Sequence, residues 1–138
     1  KAFDANNKDL DFLAVMIGEF AQTVNDKYYG FDIKGFAEPL QFLRYKKGGR
    51  YDSHMDIQWS DLKTNIPNRK LTVITQLSDP KDYEGGDLEL DITNDNFTIP
   101  KGKGDMIAFP SFLMHKVHPI TKGTRCSVVS WLSGDSWK

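Results

Sequence analysis

The chain has 138 residues, 39% of them hydrophobic, enough to bury one sizeable core and too few for two ordinary domains. Its 18 basic and 19 acidic residues leave a net charge of -1, which supplies no field to hold a nucleic acid or an anionic membrane surface. No run approaches the roughly 18 apolar residues of a membrane span. The single cysteine, Cys126, excludes an internal disulfide and a thiolate-rich zinc site. Together with a start, Lys1-Ala2-Phe3-Asp4, that lacks an apolar signal core, this points to a reducing, cytoplasmic setting. The first residue is Lys rather than Met, which leaves room for residues upstream.

Between about Asp9 and Lys27, Leu10, Phe12, Leu13, Val15, Met16, Ile17, Phe20 and Val24 recur at helical spacing, so an amphipathic helix is expected on the outside of a sheet. Pro39 to Tyr45 reads as a strand closed by Lys46-Lys47-Gly48-Gly49, and Arg50 to Asp56 as the strand that returns from that turn. Gln58 to Arg69 is polar, contains Pro67, and reads as a loop. The β-branched run Lys70 to Leu77 is a strand, broken by Ser78 to Gly86; Gly85 and Gly86 are turn residues with no phosphate-binding role. Gly86 to Ile92 alternates, Thr93 to Asn96 turns, and Phe97 to Ile99 is a short strand before Pro100 to Gly104. Met106 to Phe109, Met114 to Val117 and Arg125 to Leu132 complete a strand series at the spacing of a sandwich or barrel. One domain is expected over residues 1–138, with a helix at about 9–27 and a β core at about 39–133.

His54-Met55-Asp56 places two metal-capable side chains one residue apart, so on a strand both project from the same face. A third ligand is left to His115 or His118, the two remaining histidines. Two histidines and a carboxylate on one octahedral face leave three positions open, the arrangement of non-haem Fe(II) oxygenases. A His-x-Asp tripeptide also arises by chance, so the pattern needs company. Arg125 opens an apolar strand ten residues after His115, where a buried guanidinium demands an anion. A structural ion pair with one of the acidic residues would meet that demand, and so would a dicarboxylic acid entering the barrel. Ser127 shares the face of Arg125 and adds a hydroxyl, while Cys126 points the other way into inert core.

Three segments, in order and with familiar gaps, carry a resemblance. Tyr45-Lys-Lys-Gly-Gly-Arg-Tyr51-Asp-Ser-His54-Met-Asp56, Leu77-Ser-Asp-Pro-Lys-Asp-Tyr-Glu-Gly-Gly-Asp-Leu88 and Phe109-Pro-Ser-Phe-Leu-Met-His115-Lys-Val-His-Pro119-Ile-Thr-Lys-Gly-Thr-Arg125 are similar to those of prolyl 4-hydroxylase-like Fe(II)- and 2-oxoglutarate-dependent dioxygenases, notably the PKHD type. The likeness runs from about Phe42 to Trp131. It implies a mainly β fold with a flanking helix, a double-stranded β-helix of the jelly-roll, cupin-like kind. It implies iron held by His54, Asp56 and His115, with His118 outside the ligand set, and 2-oxoglutarate with its far carboxylate on Arg125. By the same resemblance Tyr45 touches the co-substrate. Thr75 falls where relatives can carry a longer tyrosine that helps to hold it. Tyr51, Trp59 and Trp131 lie on the substrate side, Trp59 at the rim and Trp131 also as packing.

The implied activity is hydroxylation of a prolyl residue in a peptide or protein, using dioxygen, decarboxylating 2-oxoglutarate to succinate, with ascorbate as a reductant. Free proline or another small molecule is the alternative substrate. Two rivals share the histidines. A cupin-like sandwich that binds a metal or sugar without oxidation has little use for Arg125, and a zinc hydrolase needs a general base, yet no Glu adjoins either histidine motif.

Overall fold

The structure is a computed structural model that describes residues 8–36, 38–57, 68–92 and 99–137. Helix α1 (Lys8–Val24) runs into a π turn over Asn25–Tyr29, closed by Gly30 at φ 65°. Glycine takes that left-handed conformation without a Cβ clash. The Asn25 amide fixes the exit of the chain, since its Oδ1 accepts from the Phe31 N–H and its Nδ2 donates to the Phe31 carbonyl, both at 2.9 Å.

The strands are β1 (Gly35–Phe36), β2 (Gln41–Tyr45), β3 (Tyr51–His54), β4 (Asn68–Gln76), β5 (Tyr83–Gly85), β6 (Leu88–Leu90), β7 (Met106–Pro110), β8 (His115–Val117), β9 (Ile120–Gly123) and β10 (Arg125–Gly134). The larger sheet has the order β1-β10-β4-β7. β2 also pairs with β10, next to β1 along the same strand, at Arg125–Val129. A smaller sheet, β3-β8-β6, lies opposite, and β5 pairs with β9. All these pairings are antiparallel.

Side chains alternate along β10, and each face has its own task. Val128 and Leu132 point outwards and pack with Leu71 and Val73 of β4 against Ile17 and Ala21 of α1. Arg125, Ser127, Val129 and Trp131 point inwards, where Val129 and Trp131 meet Ile74 and Phe109, with Leu88 and Leu90 of the smaller sheet packed on them. Two facing antiparallel sheets, the larger backed by a helix, form a double-stranded β-helix, as expected. The apolar run of α1 is broader than the face it uses, because Phe12, Val15 and Met16 stay exposed.

Several boundaries differ from the sequence reading. β1 is two residues long, and β9 has one buried residue followed by three exposed ones, so neither shows the alternation that marks a strand. Asn68 and Arg69 belong to β4 rather than to the preceding loop. The strand expected over Gly86 to Ile92 is confined to Leu88–Leu90, because Gly86 sits at φ 67°. Most of the loop expected from Gln58, the turn at Thr93 to Asn96, and residues 97 and 98 of the next expected strand lie outside the described residues. Among the described residues no helix is long and apolar enough to cross a membrane.

Leu71 is fully buried between α1 and the larger sheet. Leu71→Ala is expected to lower stability by about 2–5 kcal/mol through lost burial and the cavity left behind. Urea denaturation followed by far-UV circular dichroism measures this, and a loss under ~1 kcal/mol would mean that the helix does not seal this face.

Candidate active site

His54 ends β3 and His115 opens β8, and the two are cross-strand partners with ring centroids 4.3 Å apart. Asp56 is placed differently from the sequence expectation, since β3 stops at His54 and Asp56 stands in a bend beyond it. Hydrogen bonds rather than strand alternation aim its side chain. Its N–H donates to the Ser111 carbonyl at 2.9 Å, and its carbonyl accepts from Arg69 Nη1 at 3.2 Å. One donor atom from each of His54, Asp56 and His115 lies within 4.8 Å of the others.

Both imidazoles are oriented by main-chain acceptors. His54 Nδ1 donates to the Asp52 carbonyl at 2.7 Å and His115 Nδ1 to the Leu113 carbonyl at 2.9 Å. A carbonyl can only accept, so each Nδ1 carries a proton and each Nε2 is left as the ligand atom. The Nε2 atoms reach Asp56, His54 to Oδ1 at 3.4 Å and His115 to Oδ2 at 3.5 Å. Burial pushes the His115 pKa below its ordinary value, against the opposing pull of its bond to Leu113 and of the Asp56 carboxylate. A neutral ring is the form that binds a metal.

The Asp56 carboxylate, 7% exposed, is tied from behind. Thr72 Oγ1 donates to Oδ2 at 2.7 Å, and Ser111 Oγ lies 3.0 Å from Thr72 Oγ1. With the Thr72 proton given to Asp56, the Ser111 hydroxyl is the donor in that second bond. Two imidazole Nε2 atoms and one anchored carboxylate, on one side of a cavity, are a donor set that suits a divalent iron with open positions.

That cavity, about 250 Å3, lies between the two sheets and takes its walls from both, with Tyr45, Arg125, Ser127 and Trp131 from the larger, Tyr51, His54 and His115 from the smaller. Arg125 is 4% exposed, and among the described residues no carboxylate pairs with its guanidinium, which lies 5.6 Å from the centre of the Tyr45 ring. Burial pushes the Tyr45 phenol above its usual range, an effect that the Arg125 charge partly offsets. At the other end the Arg69 guanidinium stacks on the Trp131 ring at 3.6 Å and grips both Glu38 carboxylate oxygens at 2.6 Å. Tyr51 is half exposed at the mouth, its ring 4.0 Å from that of His54.

Thr75 is not brought into this group. Thr72 reaches Asp56 and Ile74 lines the cavity, so the phase of β4 turns Thr75 to the opposite face with Leu71 and Val73, its hydroxyl buried without a partner among the described residues. The inward neighbour is Gln76, which the sequence reading passed over, and its Nε2 donates to the Tyr83 hydroxyl at 2.9 Å. His118 stays apart on the surface, bonded to Glu89 Oε2 at 2.6 Å. Cys126 does not line the cavity. Trp59 lies outside the described residues. Thr72, Ser111, Arg69 and Glu38 were also passed over; for Thr72 and Arg69 the one signal available was that polar side chains in a strand with both faces buried need partners.

Residues 40–133 match the model of the 2OG-Fe(II) oxygenase superfamily. The chain belongs to that family. It is similar to a PKHD-type hydroxylase of Janthinobacterium sp. (strain Marseille), 37% identical over 100 residues that cover 68% of this chain and 42% of the relative. The chain thus spans about two fifths of the length of such curated relatives. Its fold resembles that of a Pseudomonas putida prolyl-4-hydroxylase, with a TM-score of 0.74 and 17% identity, over 97% of this chain and 72% of that one. It also resembles the viral collagen prolyl hydroxylase of Paramecium Bursaria Chlorella virus-1, solved with 2OG, with a TM-score of 0.72 and 20% identity over 98% and 78% of the two chains.

The Thr72 hydroxyl is expected to matter for metal binding. Thr72→Val should weaken Fe(II) or Mn(II) affinity by ~10–100-fold, the usual effect of losing a partner behind a ligand, while Thr72→Ser keeps it. Anaerobic calorimetric titration reads this directly, and equal affinities in wild type and Thr72→Val would remove Thr72 from the site.

Proposed function

We propose that this chain is the catalytic core of an Fe(II)- and 2-oxoglutarate-dependent hydroxylase that acts on a prolyl residue of a peptide or protein. The observation that carries this reading is Arg125: a buried guanidinium with no carboxylate partner among the described residues, lining the same cavity as His54, Asp56 and His115. A buried cation left unpaired is costly, and a ligand dianion with one end on the metal and the other on Arg125 removes that cost. A metal-binding sandwich without oxygenase chemistry has no need of this arginine.

In this reading His54 Nε2, His115 Nε2 and an Asp56 oxygen hold Fe(II). The bound iron, with dioxygen and 2-oxoglutarate, supplies oxidising power that no side chain has, giving succinate, carbon dioxide and a hydroxylated C–H bond. The remaining residues bind, orient and exclude water. Arg125 receives the far carboxylate in its planar fork, assisted by the Ser127 hydroxyl, and the Tyr45 ring closes the side of the pocket. Arg69, Trp131 and Tyr51 face the remaining end of the cavity, where the substrate enters. A half-exposed tyrosine, a buried indole N–H without a partner among the described residues and a guanidinium suit an extended peptide, with its carbonyls and a proline ring. The prolyl hydroxylases of similar fold support the same choice, with free proline or another small molecule as the alternative. Ascorbate would keep the iron reduced, and a reducing cytoplasm suits both Fe(II) and the free thiol of Cys126.

The test is anaerobic addition of Fe(II) and 2-oxoglutarate, which should give a weak visible charge-transfer band in the wild type. His115→Ala should abolish the band. Arg125→Ala should raise the 2-oxoglutarate Kd by ~100-fold or more, matching the 3–5 kcal/mol typical of breaking a buried pair. Admission of air with a proline-containing peptide should then give succinate and a peptide heavier by one oxygen. No band in the wild type would sink the proposal, and succinate without peptide oxidation would redirect the substrate search to small molecules.

A further inference from the structure

Helix α1 lays one face on the larger sheet, through Ile17 and Ala21, and its opposite face carries a second stripe. Lys8, Phe12, Val15, Glu19 and Gln22 follow one another at alternating intervals of four and three residues, and all are exposed. With 3.6 residues per turn, that spacing draws one line along the helix, on the side away from Ile17. Phe12 is 67% and Val15 57% exposed, with Met16 beside them at 42%. Helix formation does not ask for Phe or Val on a face that meets water, since both are poorer helix formers than the Ala, Lys or Glu that would serve there. The stripe is also ordered by charge. Its apolar middle has a cation at one end, Lys8, and an anion at the other, Glu19, and neither is in an ion pair among the described residues.

We propose that this face of α1 is a dimer interface and that its occupant is the same face of a second copy of the chain, with the two helices antiparallel. Side chains at alternating intervals of four and three are what lets two helices pack along a common seam. A twofold axis at the level of Leu13 and Ala14 sets Phe12 against the partner's Val15 and Lys8 against the partner's Glu19, and the symmetry makes each contact twice. Apolar then meets apolar, and cation meets anion. Parallel helices in register would instead oppose lysine with lysine and glutamate with glutamate. An unrelated partner has no reason to match a charge order that is its own complement under a twofold, which is what an isologous contact demands. The cavity lies on the other side of the larger sheet, so both copies keep it open. A helix of 17 residues is about 25 Å long. The seam is therefore small beside the ~1,200–2,000 Å2 of stable complexes, which makes the dimer a concentration-dependent one, with a Kd of ~1–100 μM.

Sedimentation equilibrium of the full chain across ~5–500 μM reads the dimer and its Kd directly. The wild type should pass from monomer to dimer within that range. Val15→Asp, which puts a carboxylate into the apolar middle of the seam twice, should leave only monomer. Glu19→Lys sets a lysine against the partner's Lys8 and should raise the Kd by ~5-fold or more, as should Lys8→Glu. The double exchange, Lys8→Glu with Glu19→Lys, restores the pairing in reverse and should return the Kd to within ~3-fold of the wild type. All three positions face solvent in the single chain, so far-UV circular dichroism should be the same for every variant. The charge exchanges carry the test if Val15→Asp does not fold. A monomer throughout the range overturns the inference, as does a dimer that Val15→Asp leaves intact, since the copies then meet elsewhere. Single exchanges without effect, or not rescued by the double exchange, overturn the antiparallel pairing and the inference with it.

Discussion

Asp56 is a carboxylate held almost out of water between two imidazole nitrogens, and most of the architecture can be understood as what makes that position tolerable. Isolated, a buried carboxylate would take up a proton or draw in water. Here its oxygens meet the hydroxyl of Thr72 and the Nε2 atoms of His54 and His115, and its backbone is tied to Ser111 and Arg69. These partners come from β3, β4, β8 and the turn after β7. The geometry therefore exists only while the two sheets stay face to face. The apolar contacts that hold them, Ile74, Phe109, Val129 and Trp131 with the leucines of the smaller sheet, are thus as necessary to the metal site as the ligands.

The larger sheet keeps chemistry and cohesion apart by strand alternation. Along β10 the positions of Arg125, Ser127, Val129 and Trp131 belong to the cavity, and those of Val128 and Leu132 belong to the core under α1. β4 follows the same rule, with Thr72, Ile74 and Gln76 inwards, Leu71 and Val73 outwards. Because the period is two, a one-residue slip in either strand would exchange the whole set. The helix contributes by making the outward set apolar by necessity. A slipped β10 would turn Arg125 and Ser127 away from the cavity, towards the sheet face that packs under α1.

The parts of the site that were legible in the sequence are those whose residue types are unreasonable without a ligand. His54 and Asp56 form a short-range motif, His115 was singled out from His118 by the family resemblance alone, and an arginine at the head of an apolar strand contradicts its surroundings unless an anion joins it. What was not legible is phase. The run Lys70 to Leu77 is buried on both faces, so hydrophobicity does not say which alternate residues face the cavity, and Thr75 was taken for the inward residue in place of Gln76. The Asp56 bend was read as strand because the sequence carries no break between His54 and Asp56. β1 and β9 escaped because short, mostly exposed strands are defined by their partners, β10 and β5, which a linear reading does not see. The pair Glu38–Arg69 joins residues 31 apart in sequence, and surface-type residues give no hint of such a match.

Arg125 shows where the fold and the proposed function pull against each other. A core built for stability alone would place an apolar residue there, since replacing buried ions with well-packed hydrophobic groups is often neutral or stabilising. Here, among the described residues, the guanidinium has no carboxylate to answer it. The aromatic ring of Tyr45 and the hydroxyl of Ser127 line the cavity with it but do not neutralise its charge. The local destabilisation has a benefit only if an anion arrives. Because whatever binds the folded state and not the unfolded one adds its binding free energy to stability, the same anion that completes the charge pair would also complete the fold around it. An arginine misplaced by the standards of a core is what an anion-binding site would require, and it is the residue on which the proposed function rests.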